Sequence, residues 1–481
     1  MLAKLLKQGM HYASGTALLS IASLISFPIL TRYLPVEEYG MLSLLVTLSG
    51  LLVAFYKLGL QQSAVRYFTK DDNDFSSSLL YSFFISILFF TLISLGIYYF
   101  IDHEIDSKYF YTLVLISFFQ SLRSIVISNY TAMEKSVFVN FISVLNKYGA
   151  LATMLVFIFF YEKSAFSVLL SILCVDFIIS LVILNKWFRS FDMVRPKKDT
   201  LKKLIFYGSP LMLAEIIQML HAFVDRFLIE YYFDLKHVAD YVAPYSISKI
   251  ISDIIFGGLA VAIVPIYMGM WNRKEYANTS KLLNKVSDYF LLIFPISVGG
   301  LYLIAEPLMG VAASEKYAHT AYIMPIVFLG VGVFASTFVY SAGLRIKKKQ
   351  YKILQYVTES LILNLILNVL FLPDFGILAS AWATVASYLW MGTRYYFSAK
   401  KTIAVSLNLR SILTGTIIGL SLVAVDTQLP KLESYTLDLL IRLVVGMFLS
   451  FGLLLLLSAQ IRTDCKLIYS LLESKLLNKP A

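Results

Sequence analysis

The apolar run MLHAFVDRFLIEYY, residues 219–232, is interrupted by His221, Asp225 and Arg226. At 100° per residue, Glu215, Gln218, His221, Asp225 and Arg226 share one arc of a helix and leave the remaining face apolar, so one side of this helix meets something polar. Other apolar runs hold Arg32, Arg123, Lys147, Asp176, Lys249, Asp253 and Glu359. A charge near the centre of a bilayer costs about 3 kcal/mol on insertion scales, which confines it to a partner or a wet cavity. The cations Arg32, Arg123, Lys147, Arg226 and Lys249 suit an anionic substrate. The acids Asp176, Glu215, Asp225 and Glu359 suit a coupling proton or Na⁺.

Several of these residues also have a structural use. Lys249 and Asp253 are four residues apart and can neutralise each other on one helix. Arg32 and Arg226 fall near the ends of their runs, where a long side chain reaches the interface. Asn364 and Asn368 serve as interhelical hydrogen-bonding groups, and His221 as a packing residue. Arg123 and Lys147 lie deepest in their runs with no acid within one turn, and therefore carry most weight as residues facing a cavity.

Several chemistries are excluded by what the sequence lacks. It contains no G-x-x-x-x-G-K-[ST] phosphate loop, no HExxH, no CxxC pair and no G-x-S-x-G elbow. No catalytic residue, metal or cofactor is therefore expected, and the chain reads as a carrier rather than an enzyme. Its cysteines, Cys174 and Cys465, fall at different expected depths and imply no disulfide.

Carriers need membrane-spanning elements, and the composition provides them. Mean hydropathy is +0.74, with 58 % hydrophobic and 15 % charged residues, against about 25 % charged in soluble proteins. Apolar runs of spanning length cover 11–33, 39–60, 78–101, 109–132, 138–160, 165–186, 205–230, 239–268, 287–305, 320–344, 353–372, 376–397, 411–428 and 436–459. The expectation is an all-α polytopic membrane protein of about fourteen helices, the first of them uncleaved. Lys and Arg collect in NKWFRSFDMVRPKKDTLKK, WNRKEYANTSKLLNK, RIKKKQYK, AKKTIAVSLNLR and the C-terminal tail, which places these segments and both termini in the cytoplasm. The net charge of +11 belongs to these membrane-proximal segments, so anionic lipid rather than nucleic acid accounts for it. Tyrosines and phenylalanines at run ends, as in GIYYF and IEYYF, fit an interfacial belt.

The chain also begins again midway. KQGMHYASGTALLSIASLISFPILTRYL and KLIFYGSPLMLAEIIQMLHAFVDRFLIEYY share a basic lead-in, small residues, a long apolar run and an Arg-aromatic-Leu step. Arg32 and Arg226 then occupy matching places. This predicts two pseudo-symmetric six-helix lobes, 1–200 and 201–400, around a central cavity, with two extra helices and a tail in 401–481.

The stretch SLISFPILTRYLPVEEYGMLSLLVTLSGLLVAFYKLGLQQSAVRYF, the mid-chain YGSPLMLAEIIQMLHAFVDRFLIEYY, YSISKIISDIIFGGLAVAIVPIY and LPDFGILASAWATVASY resemble the Wzx-type polysaccharide repeat-unit flippases of the multidrug/oligosaccharidyl-lipid/polysaccharide exporter superfamily. The resemblance covers roughly the first 400 residues. It implies an undecaprenyl-pyrophosphate-linked oligosaccharide carried from the inner to the outer leaflet of a bacterial plasma membrane by rocking of the two lobes. It also implies membrane lipids, a polysaccharide polymerase and chain-length proteins as partners. A cationic wet cleft supplies the polar partners that the head would otherwise lose with its water. On this reading Arg123 and Lys147, with Arg32 and Arg226 toward the outer mouth, hold pyrophosphate and glycan. The rival expectations are a multidrug antiporter of the same superfamily, a lipid-linked peptidoglycan-precursor flippase, and a membrane glycan polymerase or ligase.

Overall fold

The computed structural model describes residues 2–68, 73–100, 106–133, 135–189, 192–403, 405–458 and 461–463. The described chain is helical. In order come α1 (Leu2–Tyr33), α2 (Val36–Lys57), α3 (Leu60–Tyr67), α4 (Asn73–Phe100), α5 (Ser107–Ala132), α6 (Ser136–Phe160), α7 (Ala165–Phe188), α8 (Lys198–Tyr232) and α9 (Leu235–Ser252). A π-helical turn, Asp253–Gly257, leads into α10 (Gly258–Asn272) and α11 (Tyr276–Ala312). After a 3₁₀ turn at Glu315–Thr320 follow α12 (Ile323–Tyr340), α13 (Ala342–Ile346), α14 (Gln350–Phe375), α15 (Ile377–Lys400), α16 (Leu409–Asp426) and α17 (Tyr435–Leu457). Ten of these helices are long and apolar enough to cross a membrane. With α1, whose described apolar stretch is Leu18–Tyr33, and with α8, the α9–α10 pair and α15, they follow the expected order of crossings.

Local chemistry sets the boundaries. Asp106, Ser164, Asp234 and Asn408 cap α5, α7, α9 and α16 by accepting backbone N–H bonds. The α2–α3 break uses two successive left-handed residues, Leu58 (φ 47°) and Gly59 (φ 67°). Two differences from the sequence expectation matter for function. The run expected at 239–268 is not one helix, because the π turn beginning at Asp253 interrupts it. The run expected at 320–344 stops at Tyr340, and a separate short helix, α13, carries the first residues of the basic segment, Arg345 and Ile346.

Neighbour relations recur between the two halves of the chain. In the first, α5 packs on α7, α6 on α7, α2 on α5 and α1 on α6. The corresponding pairs in the second are α12 on α15, α14 on α15, α9 on α12 and α8 on α14. Helices α16 and α17 lie against α11. Their approach depends on glycine: a Cβ on Gly299 would run into the backbone of Gly419, and one on Gly415 into Leu292. Buried Arg442 ties this layer together by donating to Asp438 at 2.8 Å, to Asp426, and to the Leu303 carbonyl of α11 at 3.3 Å.

The halves meet at both ends of the bundle. The basic face carries the Lys/Arg-rich connections. There Gly59 abuts the Gly208 backbone, Ser63 donates to the Leu204 carbonyl at 2.9 Å, and Arg66 lies 4.7 Å over the Tyr207 ring. At the far face Gly40 abuts the backbone of Leu235, the Tyr39 and Tyr317 rings meet edge to face at 5.9 Å, and Lys316 donates to the Arg32 carbonyl at 3.1 Å. A cavity is left between these two seals.

Candidate functional site

The central cavity has a volume of about 510 Å³ and is walled by α1, α2, α8, α9, the π turn and α12–α15. Its cations are Arg226, Lys249 and Arg345, and its acid is Asp253. Much of the remaining wall is aromatic, including Phe27, Phe223, Tyr245, Phe334, Tyr388 and Tyr395.

Arg226 is 9 % exposed. One guanidinium nitrogen donates to Ser43 Oγ of α2 at 2.8 Å, while the group sits 4.5 Å from the Phe223 ring and 5.5 Å from the Tyr245 ring. Its Nε is buried with no hydrogen-bond partner among the described residues. A buried, unspent donor on a permanent cation is costly unless an acceptor arrives. Its sequence neighbour Asp225 does not line the cavity. That carboxylate accepts from Tyr241 Oη at 2.5 Å and from the Arg226 amide at 2.9 Å, within the α8–α9 contact.

Lys249 and Asp253 form the i,i+4 pair expected from their spacing, with contacts of 2.6 and 2.5 Å. Both remain half exposed to the cavity. Arg345 enters from α13, its Nε on Ser341 Oγ at 3.0 Å. The sequence pattern groups this arginine with the basic connection RIKKKQYK; the signal for a separate role is its place at the start of that run, against the last apolar residues. His221 lines the cavity with its ring 4.6 Å from Tyr388, and its Nε2 is bonded to Ser360 Oγ at 2.7 Å. Behind it Asn364, Asn368, Ser380 and Ser387 form a buried network on α14 and α15.

The other expected site residues lie elsewhere. Arg123 does not reach the cavity: it pairs with Asp176 at 3.0 Å, and Asp176 also accepts from Gln120 and Asn146, each at 2.8 Å. The missing acid is supplied by α7, a neighbour that spacing along α5 cannot reveal. Asp176 is thereby occupied in a seam of α5, α6 and α7. Lys147, on α6, is not among the cavity-lining residues either, and it makes no hydrogen bond or ion pair among the described residues. Arg32 is exposed at the far face and donates to the Val311 carbonyl. Glu215 accepts from Lys57 at 2.6 Å and Gln61 at 2.9 Å in the basic-face seal. Glu359 is held by Arg394 at 2.9 and 3.1 Å. Cys174 is a free thiol, and Cys465 lies outside the described residues.

A second concavity, about 610 Å³ and almost wholly apolar, runs between α11, α16–α17 and the α9 side of the π turn. Ile251 and Ile255 face this groove, whereas Lys249, Ile250 and Asp253 face the central cavity. At the far face, Asp234 begins α9 beside the Gly40 contact. The His237 amide at 2.9 Å, followed by the His237 ring at 2.7 Å, holds its carboxyl below the ordinary carboxylate range.

Comparison with known proteins agrees with this geometry. The probable low-salt glycan biosynthesis flippase Agl15 of Haloferax volcanii is 21 % identical over 202 residues, which is 41 % of this chain and 42 % of that relative. The chain thus spans less than half the length of that curated relative. Among solved structures, the lipid II flippase MurJ in its inward closed conformation superimposes with a TM-score of 0.76 at 15 % identity, over 92 % of this chain and 98 % of that one. The Vibrio cholerae MATE transporter VcmN in the bent form gives a TM-score of 0.51 at 14 % identity, over 82 % and 98 %. Both likenesses are of fold. The family model described as "Polysaccharide biosynthesis protein" matches residues 5–271, more than half of the sequence, and the chain therefore belongs to the polysaccharide biosynthesis protein family.

Proposed function

We propose that this protein is a flippase that moves a lipid-linked oligosaccharide, joined to its polyprenyl tail through a diphosphate, from the cytoplasmic to the outer leaflet of a plasma membrane. The basic face is then cytoplasmic. The observation that carries the reading is Arg226: a nine-tenths-buried cation on the wall of the central cavity with an unpartnered Nε. Arginine grips phosphate oxygens through parallel N–H bonds. Lys249 and Arg345 add point charge and a second fork, and the aromatic walls give sugar rings flat apolar faces to pack on. The apolar groove beyond the π turn suits the tail, which gains nothing by entering water.

Translocation by alternating access requires the two seals to open in turn while the head stays in the cavity. Asp176, Glu215, Asp225 and Glu359 are held away from the cavity wall, whereas Asp253 lines it in its pair with Lys249, which makes Asp253 the carboxylate best placed to exchange an ion with the lumen. Arg226→Gln, produced at the wild-type level in a strain deleted for the protein, should abolish surface glycan and accumulate the lipid-linked precursor inside. Normal surface glycan would overturn the assignment. The fold shared with MurJ supports a second reading, a peptidoglycan-precursor cargo, which complementation of a MurJ-depleted strain distinguishes.

A further inference from the structure

We infer that the turn from Arg345 to Lys352 is a docking rim where the diphosphate head of the membrane-embedded cargo is collected before it enters the cavity; this rests on the transport reading above. Five cations, Arg345, Lys347, Lys348, Lys349 and Lys352, occur within eight residues. All are exposed, and none of the four lysine side chains has a hydrogen bond or ion pair among the described residues. The basic segment is an ordered turn. Lys348 adopts a left-handed conformation (φ 54°), and the amides of Lys347, Lys348 and Lys349 return to the carbonyls of Gly343, Arg345 and Leu344.

This turn differs from an ordinary basic connection in its position. Arg345 precedes it and Ile353 follows it, and both line the central cavity. The four lysines therefore lie on a turn that joins two cavity-lining residues, and Arg345 is both exposed and cavity-lining. Tyr351, 77 % exposed between Lys349 and Lys352, fits the interfacial belt and places the rim at headgroup depth. Each lysine near an anionic surface contributes about 1 kcal/mol of attraction, screened beyond a Debye length. A diphosphate ester carries more charge per head than an ordinary phospholipid, so a cluster of four cations discriminates in its favour. The sequence of contacts is then lysine rim, Arg345, and the Lys249 and Arg226 walls.

The test uses the full chain in phosphatidylcholine nanodiscs and a fluorescent short-chain isoprenoid diphosphate as probe, followed by stopped flow at several salt concentrations. Replacing Lys347, Lys348, Lys349 and Lys352 together by Gln should slow association about tenfold and flatten its salt dependence, with dissociation unchanged. Replacing the same four by Arg should restore the rate. Inorganic pyrophosphate should compete with association in the wild type and much less in the Gln variant. Equal association rates and salt slopes for wild type and Gln variant would overturn the rim alone. So would abolition of the difference by phosphatidylglycerol in the disc, which would assign the patch to bulk anionic lipid. Failure of the wild type to bind the probe at all would overturn the transport reading as well.

Discussion

Arg123 and Asp176 give a sharp test, because the pair can be emptied of charge without changing its shape much. Arg123→Gln leaves Asp176, 1 % exposed, with two amide donors from Gln120 and Asn146 and no countercharge. Removing one member of a buried pair costs about 3–5 kcal/mol. The two remaining bonds and the 19 % exposure of the Arg123 side chain place this case near the low end, about 3 kcal/mol. Asp176→Asn orphans the more exposed partner and should cost less. The double variant carries no charge in the seam, so a coupling of about 2 kcal/mol should return. The assay is thermal unfolding of the purified protein at a fixed scan rate, since membrane proteins of this size unfold irreversibly, beside surface glycan in the deletion strain. Both single variants should melt several degrees lower and deliver less glycan, and the double variant should recover in both. If the singles melt normally yet transport nothing, and the double stays inactive, Arg123 touches cargo and does not serve as a tie between α5 and α7.

Two further outcomes follow from the seals. Lys57→Glu and Glu215→Lys should each loosen the basic face, by an amount on the order of 1 kcal/mol after solvent screening of this part-exposed pair; the two together should restore closure, read as the rate at which a cysteine introduced by Ser246→Cys is labelled from that side. At the far face, the lowered carboxyl of Asp234 contributes stability above its ordinary value that is lost as pH falls through the lowered one. Hydrogen exchange at the start of α9 should accelerate in that acidic window, and Asp234→Asn should remove the dependence; an unchanged profile in the variant contradicts the cap.

Most of the fold was legible because bilayer thickness and apolar run length constrain each other. Helix ends from Val36 to Leu457 fall within a few residues of the sequence reading for most runs, except where a helix extends beyond the bilayer, as at Lys198 of α8 and Tyr276 of α11. The site was less legible, because intramembrane charges announce that they need partners without naming them. Arg226 and Lys249 line the cavity. Arg123 finds its acid on α7, and Glu215 its lysine on α2. Spacing reports neighbours on one helix only, which is why it reveals Lys249–Asp253 and not Arg123–Asp176. Arg345 escapes notice because a hydropathy window cannot separate the last cavity residue from the loop after it.

The π turn at Asp253–Gly257 has a consequence for the shape of any passenger. Within a few residues it presents ionic groups to one chamber and isoleucines to the other, so the two compartments are separated by a single helix about 10 Å across. A molecule that is oily at one end and hydrophilic at the other can straddle that partition with each end in its own solvent. Enclosure then limits the bulk of the hydrophilic end, while the oily end, free to trail into the bilayer, is measured by nothing.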